Sequence, residues 1–248
     1  MTRFVAGNRV ELLETGAQYF PALTQAIALA ERELFLESYI FANDRTGSLV
    51  VLALCAAARR GVRVHVLVDG FGGRAFVREI MPTLVAEGVQ VLVYRREIRL
   101  LSLRRHRLRR LHRKLVLIDD RVAFVGGINI VDDYDVGQAA HPRHDYAVRL
   151  EGPLVAEVAV SMRRVWLLVA WANLRRRRMR LPPPQRAAHV HTGGVRAAFL
   201  IRDNLRHRRE IEDAYLDAIS AARDEVVIAC AYFRSEEHTS ELQSPCNL

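Results

Sequence analysis

Two side chains define the chemistry open to this sequence. His112 and Lys114 stand two residues apart in the mainly apolar stretch 111–119, and the stretch 123–129 that follows carries Gly126, Gly127 and Asn129. Read as a buried β-strand, the first stretch puts His112 and Lys114 on one face while Leu115 and Leu117 pack on the other. Asp119, an odd number of positions beyond Lys114, is expected to face away. A neutral imidazole can attack phosphorus or carry a proton, and an ammonium beside it can hold phosphate oxygens. The chain has 37 basic residues, of which 36 are arginines and a single one, Lys114, is a lysine. A chain this rich in arginine would carry arginine here too if any cation sufficed. Arginine is a broad planar fork, and lysine a compact ammonium on a slim stem.

His112, Lys114 and Asp119, followed by Gly126, Gly127 and Asn129, fill every position of the pattern His-x-Lys-x4-Asp…Gly-Gly/Ser-x-Asn. The chain thereby resembles the phospholipase D superfamily. Segments 11–16, 145–153 and 202–204 are similar to those of the short bacterial cardiolipin synthases that lack membrane spans at the N-terminus. The resemblance runs from about residue 8 to Phe233 and is weakest across 173–194. It implies that His112 attacks a lipid phosphodiester, forming a phosphatidyl-histidine. Lys114 and Asn129 would hold the non-bridging oxygens, Asp145 would hydrogen-bond the nucleophilic histidine, and Asp119, Gly126 and Gly127 would support the motif. It also implies that no metal and no cofactor is needed, and that phosphatidylglycerol is a substrate.

Family members carry two such motifs that meet across a pseudo-twofold axis, and this chain holds one. It is therefore expected to supply half a site and to be inactive alone unless two copies pair. The alternative enzyme is a single-motif phosphodiesterase or nuclease completed by homodimerisation. A third reading, a catalytically silent binding module, is opposed by the intact His112, Lys114 and Asn129.

The rest of the chain must position these groups. Strand and helix patterns alternate: strand 10–13, helix 19–31, strand 34–41, helix 49–60, strand 62–68, helix 75–87 and strand 89–94. This order predicts an α/β fold, a mixed sheet of the phospholipase D kind with helices on both faces. A strand at 144–150 and a helix at 154–175 follow, the latter with Trp166 and Trp171 packing. The domain organisation expected is a first unit over 1–175, a basic proline-broken linker over 176–194, and the start of a second, truncated unit over 195–233 with strands at 195–201 and 225–233. Residues 234–248 resemble translated sequencing-adapter DNA and are expected to have no function.

Several residues invite a functional reading without a motif. Glu37 is an acid inside a strand and a candidate cleft acid. Asp69-Gly70 with Gly72-Gly73 reads as a turn leaving a strand, since no phosphate-loop lysine follows. His65 reads as a strand histidine, and Asp132, Asp133 and Asp135 as a solvated turn rather than a metal site. The run 95–113 is basic and leucine-rich. Its Arg104, Arg105, Arg107, Leu108, Arg109 and Arg110 are candidate membrane contacts, because guanidiniums beside leucines suit an anionic bilayer. The net charge of +9 calls for a polyanionic partner. A bacterial membrane surface is expected, nucleic acid is not, and a dimer is open. Cys55, Cys230 and Cys246 form no zinc spacing or disulfide framework, so the expected location is cytoplasmic, peripheral on the inner membrane face.

Overall fold

The computed structural model describes residues 3–95, 110–134, 143–173, 181, 193–201 and 209–228. They fall into two compact units, one reaching Phe199 and the other starting at Leu200. The strands of the first unit are β1 (Val5–Glu14), β2 (Glu33–Ser38), β3 (Arg63–Asp69), β4 (Gln90–Tyr94), β5 (Leu115–Ile118), β6 (Val122–Gly126), β7 (Tyr146–Glu151) and β8 (Val195–Ala197). Its helices are α1 (Thr15–Ala28), α2 (Arg45–Arg59), α3 (Arg74–Glu79), α4 (Met81–Ala86) and α5 (Val155–Ala172). The second unit holds α6 (Glu210–Ala221). Among the described residues no helix is long and apolar enough to cross a membrane.

The strands form one eight-stranded sheet in the order β4-β3-β2-β5-β6-β7-β1-β8. β2, β3 and β4 are parallel neighbours, and every other pairing is antiparallel. Alternation along the strands explains the two layers of core. Leu34, Leu36, Val64, Val66, Val116 and Phe124 point to the face covered by α1 through α4, where Leu23, Ile27, Leu54 and Leu84 meet them. Phe35, Leu67, Leu92, Leu115, Leu117 and Leu150 point to the other face, covered by Val158, Met162 and Trp166 of α5. β2 and β5 are buried along their whole length, as strands covered on both faces must be. The expected mixed sheet with helices on both faces is what forms.

Four details differ from expectation. The single helix expected over 75–87 is two short ones, because Pro82 has no N–H to donate to the preceding turn and restarts the chain as α4. Residues 195–197 open no new sheet; they pair with β1 as the eighth strand, and the compact first unit runs on to Phe199. Trp166 is buried, but Trp171 is 67% exposed. Five helical residues rotate a side chain to about 140° from its start, so the two tryptophans cannot both face the sheet. Finally, residues 225–228 form no strand, and Val226, Val227 and Ile228 are exposed.

Topology gathers one edge. The registers Glu37↔Leu115, Leu115↔Val125, Gly126↔Ala147 and Glu14↔Tyr146 put the carboxyl ends of β1, β2 and β6 beside the amino ends of β5 and β7. Asp69 closes β3 at the same edge. Sites in sheets of this kind form beyond the carboxyl ends of the parallel strands.

Candidate active site

His112 and Lys114 lie on the lead-in to β5 rather than within it, since the strand begins at Leu115. The lead-in is nonetheless fixed at both ends. The buried Asp69 carboxylate at the end of β3 accepts the Leu111 N–H at 2.8 Å, and the Lys114 carbonyl accepts the Gly126 N–H at 3.2 Å. Between these anchors the Lys114 ammonium sits 3.2 and 3.1 Å from Nδ1 and Nε2 of His112. The lone pair on an imidazole nitrogen points outward in the ring plane, so one ammonium cannot bond both nitrogens well. Both groups thus share one side of the chain with donor and acceptor capacity unspent. Tyr39, just past β2, walls the pair: its ring centroid is 5.0 Å from that of His112 and 5.6 Å from Lys114 Nζ.

The electrostatics favour anion chemistry. His112 is exposed, whereas Lys114 is 7% exposed. Partial burial, then the neighbouring Lys114 charge, holds the His112 pKa below its usual value, with Asp69 pulling the other way. The imidazole is therefore neutral near pH 7, as a nucleophile must be. Burial also lowers the Lys114 pKa, opposed by the charge of Asp145. Among the described residues no carboxylate pairs with Lys114. A buried cation without a paired anion is costly, and an arriving phosphate oxygen relieves that cost.

The glycines and Asn129 bring a third group to this edge. Gly126 donates to the Lys114 carbonyl on the lead-in to β5 and Gly127 donates to the Tyr146 carbonyl of β7 at 2.8 Å, so the turn leaving β6 is held between these two neighbours. A Cβ on Gly126 would stand 2.4 Å from Ala147 Cα, and one on Gly127 would stand 2.2 Å from Asp145 Oδ1. Backbone excludes a side chain at Gly126, whereas at Gly127 a Cβ would require the Asp145 carboxylate to move. The turn delivers Asn129 beside the end of β2, where its Oδ1 accepts the Ile40 N–H at 3.1 Å. This contact fixes the amide orientation and leaves the Nδ2 hydrogens to donate.

Asp145 reaches the same edge, though its place differs from the expected one. Its carboxylate accepts the Tyr146 N–H at 2.8 Å, lies against Gly127 and acts electrostatically on Lys114. Among the described residues no hydrogen bond joins it to His112.

Other expected residues are not part of this group. Asp119 sits at the opposite end of β5, at φ 53°, where its carboxylate accepts the N–H groups of Glu31, Arg32 and Glu33 at 2.9 Å each. It staples the β5–β6 turn to the start of β2, roughly 15 Å from Lys114 at the rise of a strand. Glu37, the candidate cleft acid, shares the α5 face with Leu115, opposite His112 and Lys114. Its Oε2 lies 3.0 Å from Arg113 Nε, without an aligned hydrogen bond. Burial outweighs this neighbour and pushes the Glu37 pKa up to about 7. Asp132 and Asp133 hold the chain together locally: Asp132 accepts from Thr46 and Tyr134, and Asp133 accepts the Gly16 N–H at 2.7 Å. Asp135 and the run Arg104, Arg105, Arg107, Leu108 and Arg109 lie outside the described residues. Arg110 is described and stacks on Phe71.

Tyr39 and the anchoring role of Asp69 were not recognised from the sequence, nor was a buried ion network at the far end of the sheet. There Arg163 of α5 donates to Glu33 at 2.7 Å and to both oxygens of Asp120 at 2.8 Å, while His65 lies 3.2 Å from Glu33. An acid closing an apolar strand and an arginine inside an apolar helix were the visible signals.

The sheet with helices on both faces is an α/β fold of the phospholipase D-like kind. Residues 23–166 match the family described as cardiolipin synthase, PLD-like domain, and the chain belongs to it. It is similar to cardiolipin synthase B of Salmonella typhi, with 41% identity over 92% of this chain and 54% of that protein. It is similar also to cardiolipin synthase B of Escherichia coli K12, with 37% identity over the same shares. The chain thus spans about half the length of the curated relatives it matches. Among solved structures, phosphatidylserine synthase of Haemophilus influenzae shares the fold, at TM-score 0.50, 16% identity, 67% of this chain and 39% of that one.

Proposed function

We propose that the chain carries the first half of a phosphatidyl-transfer site of the cardiolipin synthase type. The observation that carries this reading is the Lys114 ammonium set 3.1–3.2 Å from the His112 ring nitrogens at the carboxyl edge of the sheet. In the first step a His112 nitrogen bonds to the phosphorus of phosphatidylglycerol, and the bond to the glycerol oxygen breaks. The departing oxygen takes a proton from an acid supplied by a second motif. In the second step the hydroxyl of another phospholipid attacks phosphorus, loses its proton to that same group, and releases the imidazole. Lys114 and Asn129 Nδ2 hold the non-bridging oxygens, where negative charge grows in each transition state. Asp145 tunes this charge through Lys114. Asp119 acts as a staple of the fold.

A single lysine in the chain means one cation of this kind, so a complete site draws its second motif from elsewhere. The test joins this chain to the C-terminal half of the Salmonella typhi relative and supplies labelled phosphatidylglycerol. Labelled diphosphatidyl product and an alkali-stable label on His112, both lost in His112→Ala, are expected. Product that survives His112→Ala, or transfer by a demonstrated monomer of the chain alone, overturns the reading. Cleavage of DNA that depends on His112, without lipid product, replaces it with the dimeric nuclease alternative.

A further inference from the structure

The loop that leaves β3 presents an apolar ring and two cations beside the site. Phe71 is 45% exposed, yet its position is held firmly. The Asp69 Oδ1 accepts the N–H groups of Phe71 at 2.8 Å and Gly72 at 3.3 Å. Cβ atoms on Gly70, Gly72 and Gly73 would stand 2.5 Å from the Arg95 carbonyl, 2.4 Å from the Tyr39 carbonyl and 2.3 Å from Val68. The loop is therefore pressed against its surroundings on three residues, and Phe71 is the one it turns outward. The guanidinium carbons of Arg110 and Arg74 lie 4.4 and 4.7 Å from the Phe71 ring centroid. Among the described residues neither arginine pairs with a carboxylate, unlike Arg59, Arg113, Arg149 and Arg163.

We propose that Phe71, Arg74 and Arg110 form the surface by which the chain docks on an anionic phospholipid bilayer, with Phe71 entering the headgroup layer and the guanidiniums binding lipid phosphates. The proposal rests on the phosphatidyl-transfer reading and names the surface that presents lipid to that site. Two like charges gathered on one exposed ring repel each other, and phosphates of a bilayer supply the missing counter-charge. Arg110 precedes Leu111, whose N–H is bound by the same Asp69 that folds the Phe71 loop. The surface and His112 are thus tied through one buried carboxylate. A nucleic acid fits less well, because guanidiniums already cover the only aromatic ring of the cluster and a base would have to displace them.

The test is flotation of the full chain with vesicles of phosphatidylcholine alone or with added phosphatidylglycerol. Binding is expected only to the phosphatidylglycerol vesicles, weakening as salt rises. Phe71→Ala should lower it about tenfold. Arg74→Gln/Arg110→Gln should lower it roughly thirty-fold, and Arg74→Lys/Arg110→Lys should restore most of it. A matched titration with DNA fragments separates the other polyanion. Wild-type vesicle binding in both the Phe71 and the double glutamine variant overturns the proposal, as does an arginine-dependent loss confined to DNA. If these variants release vesicles although no phosphatidyl transfer is found in the joined protein, the surface stands and the transfer reading falls.

Discussion

Asp69→Asn probes the anchor that holds the lead-in to β5. The wild-type carboxylate is fully buried and takes three backbone N–H groups, those of Phe71 and Gly72 on Oδ1 and that of Leu111 on Oδ2. An asparagine has one oxygen and one NH₂ group, so at least one of these donors then faces another donor. The side-chain oxygen that stays with Phe71 and Gly72 satisfies two groups; the one that stays with Leu111 satisfies a single group. Leu111 is therefore the N–H expected to be abandoned. Losing one hydrogen bond to a charged acceptor, with a buried donor left over, costs about 1.5–3 kcal/mol. Urea unfolding should show a loss of that size, and hydrogen exchange at the Leu111 amide should quicken by roughly ten- to a hundredfold. A drift of about 1 Å in His112 should lower phosphatidyl transfer by the joined protein roughly a hundredfold. Unchanged stability together with unchanged Leu111 protection would refute the anchoring argument.

Three further outcomes follow from the same geometry. Arg163→Met removes the guanidinium that bridges the buried Glu33 and Asp120 carboxylates, and should cost about 3–5 kcal/mol in denaturant unfolding; a loss below about 1 kcal/mol would count against the network. Gly126→Ala should destabilise by about 1–3 kcal/mol, because its Cβ meets backbone of Tyr146 and Ala147. Gly127→Ala should cost less, since it meets only the Asp145 side chain, which can turn away; the reverse order in thermal melts would contradict the close-approach account. Glu37 holds its proton up to about pH 7 in the native chain against an ordinary 4.5, so the native state binds more protons than the unfolded state between these values. Its contribution to stability is then intact below about pH 4.5 and falls as pH rises to 7, by roughly 3 kcal/mol. Glu37→Gln removes this fall, so its stability relative to wild type should rise across that window; a pH-independent difference in paired melts would sink the claim.

How much of this was legible in the sequence differs by element. The parallel β2, β3 and β4 and the two-sided burial of β5 were readable because continuous apolar runs separated by helical periods leave few other folds. Local stiffness was legible only in part: Pro82 broke a helix whose apolar period runs through the break. Pairing across the sheet was not readable. Nothing in residues 10–13 says that β1 lies beyond β7, and nothing in 195–197 says that it pairs with β1. The site followed the same division. His112, Lys114, Gly126, Gly127 and Asn129 form a spaced pattern, and the structure brings them to one edge. Asp119 also belongs to that pattern, yet alternation along a strand could not show that it closes a left-handed turn at the far end. Glu37 and Asp69 are both acids of apolar strands. Only the third dimension separates the one facing Arg113 from the one that pins Leu111.

The central claim is that the His112 imidazole feels the Lys114 ammonium at contact distance. An NMR titration of the His112 ring in the wild-type chain and in Lys114→Met tests it most directly. The account predicts a His112 pKa below the ordinary histidine value in the wild type, from partial burial and the Lys114 charge, and a rise when that charge is removed. An ordinary value in the wild type that does not move in Lys114→Met would contradict it.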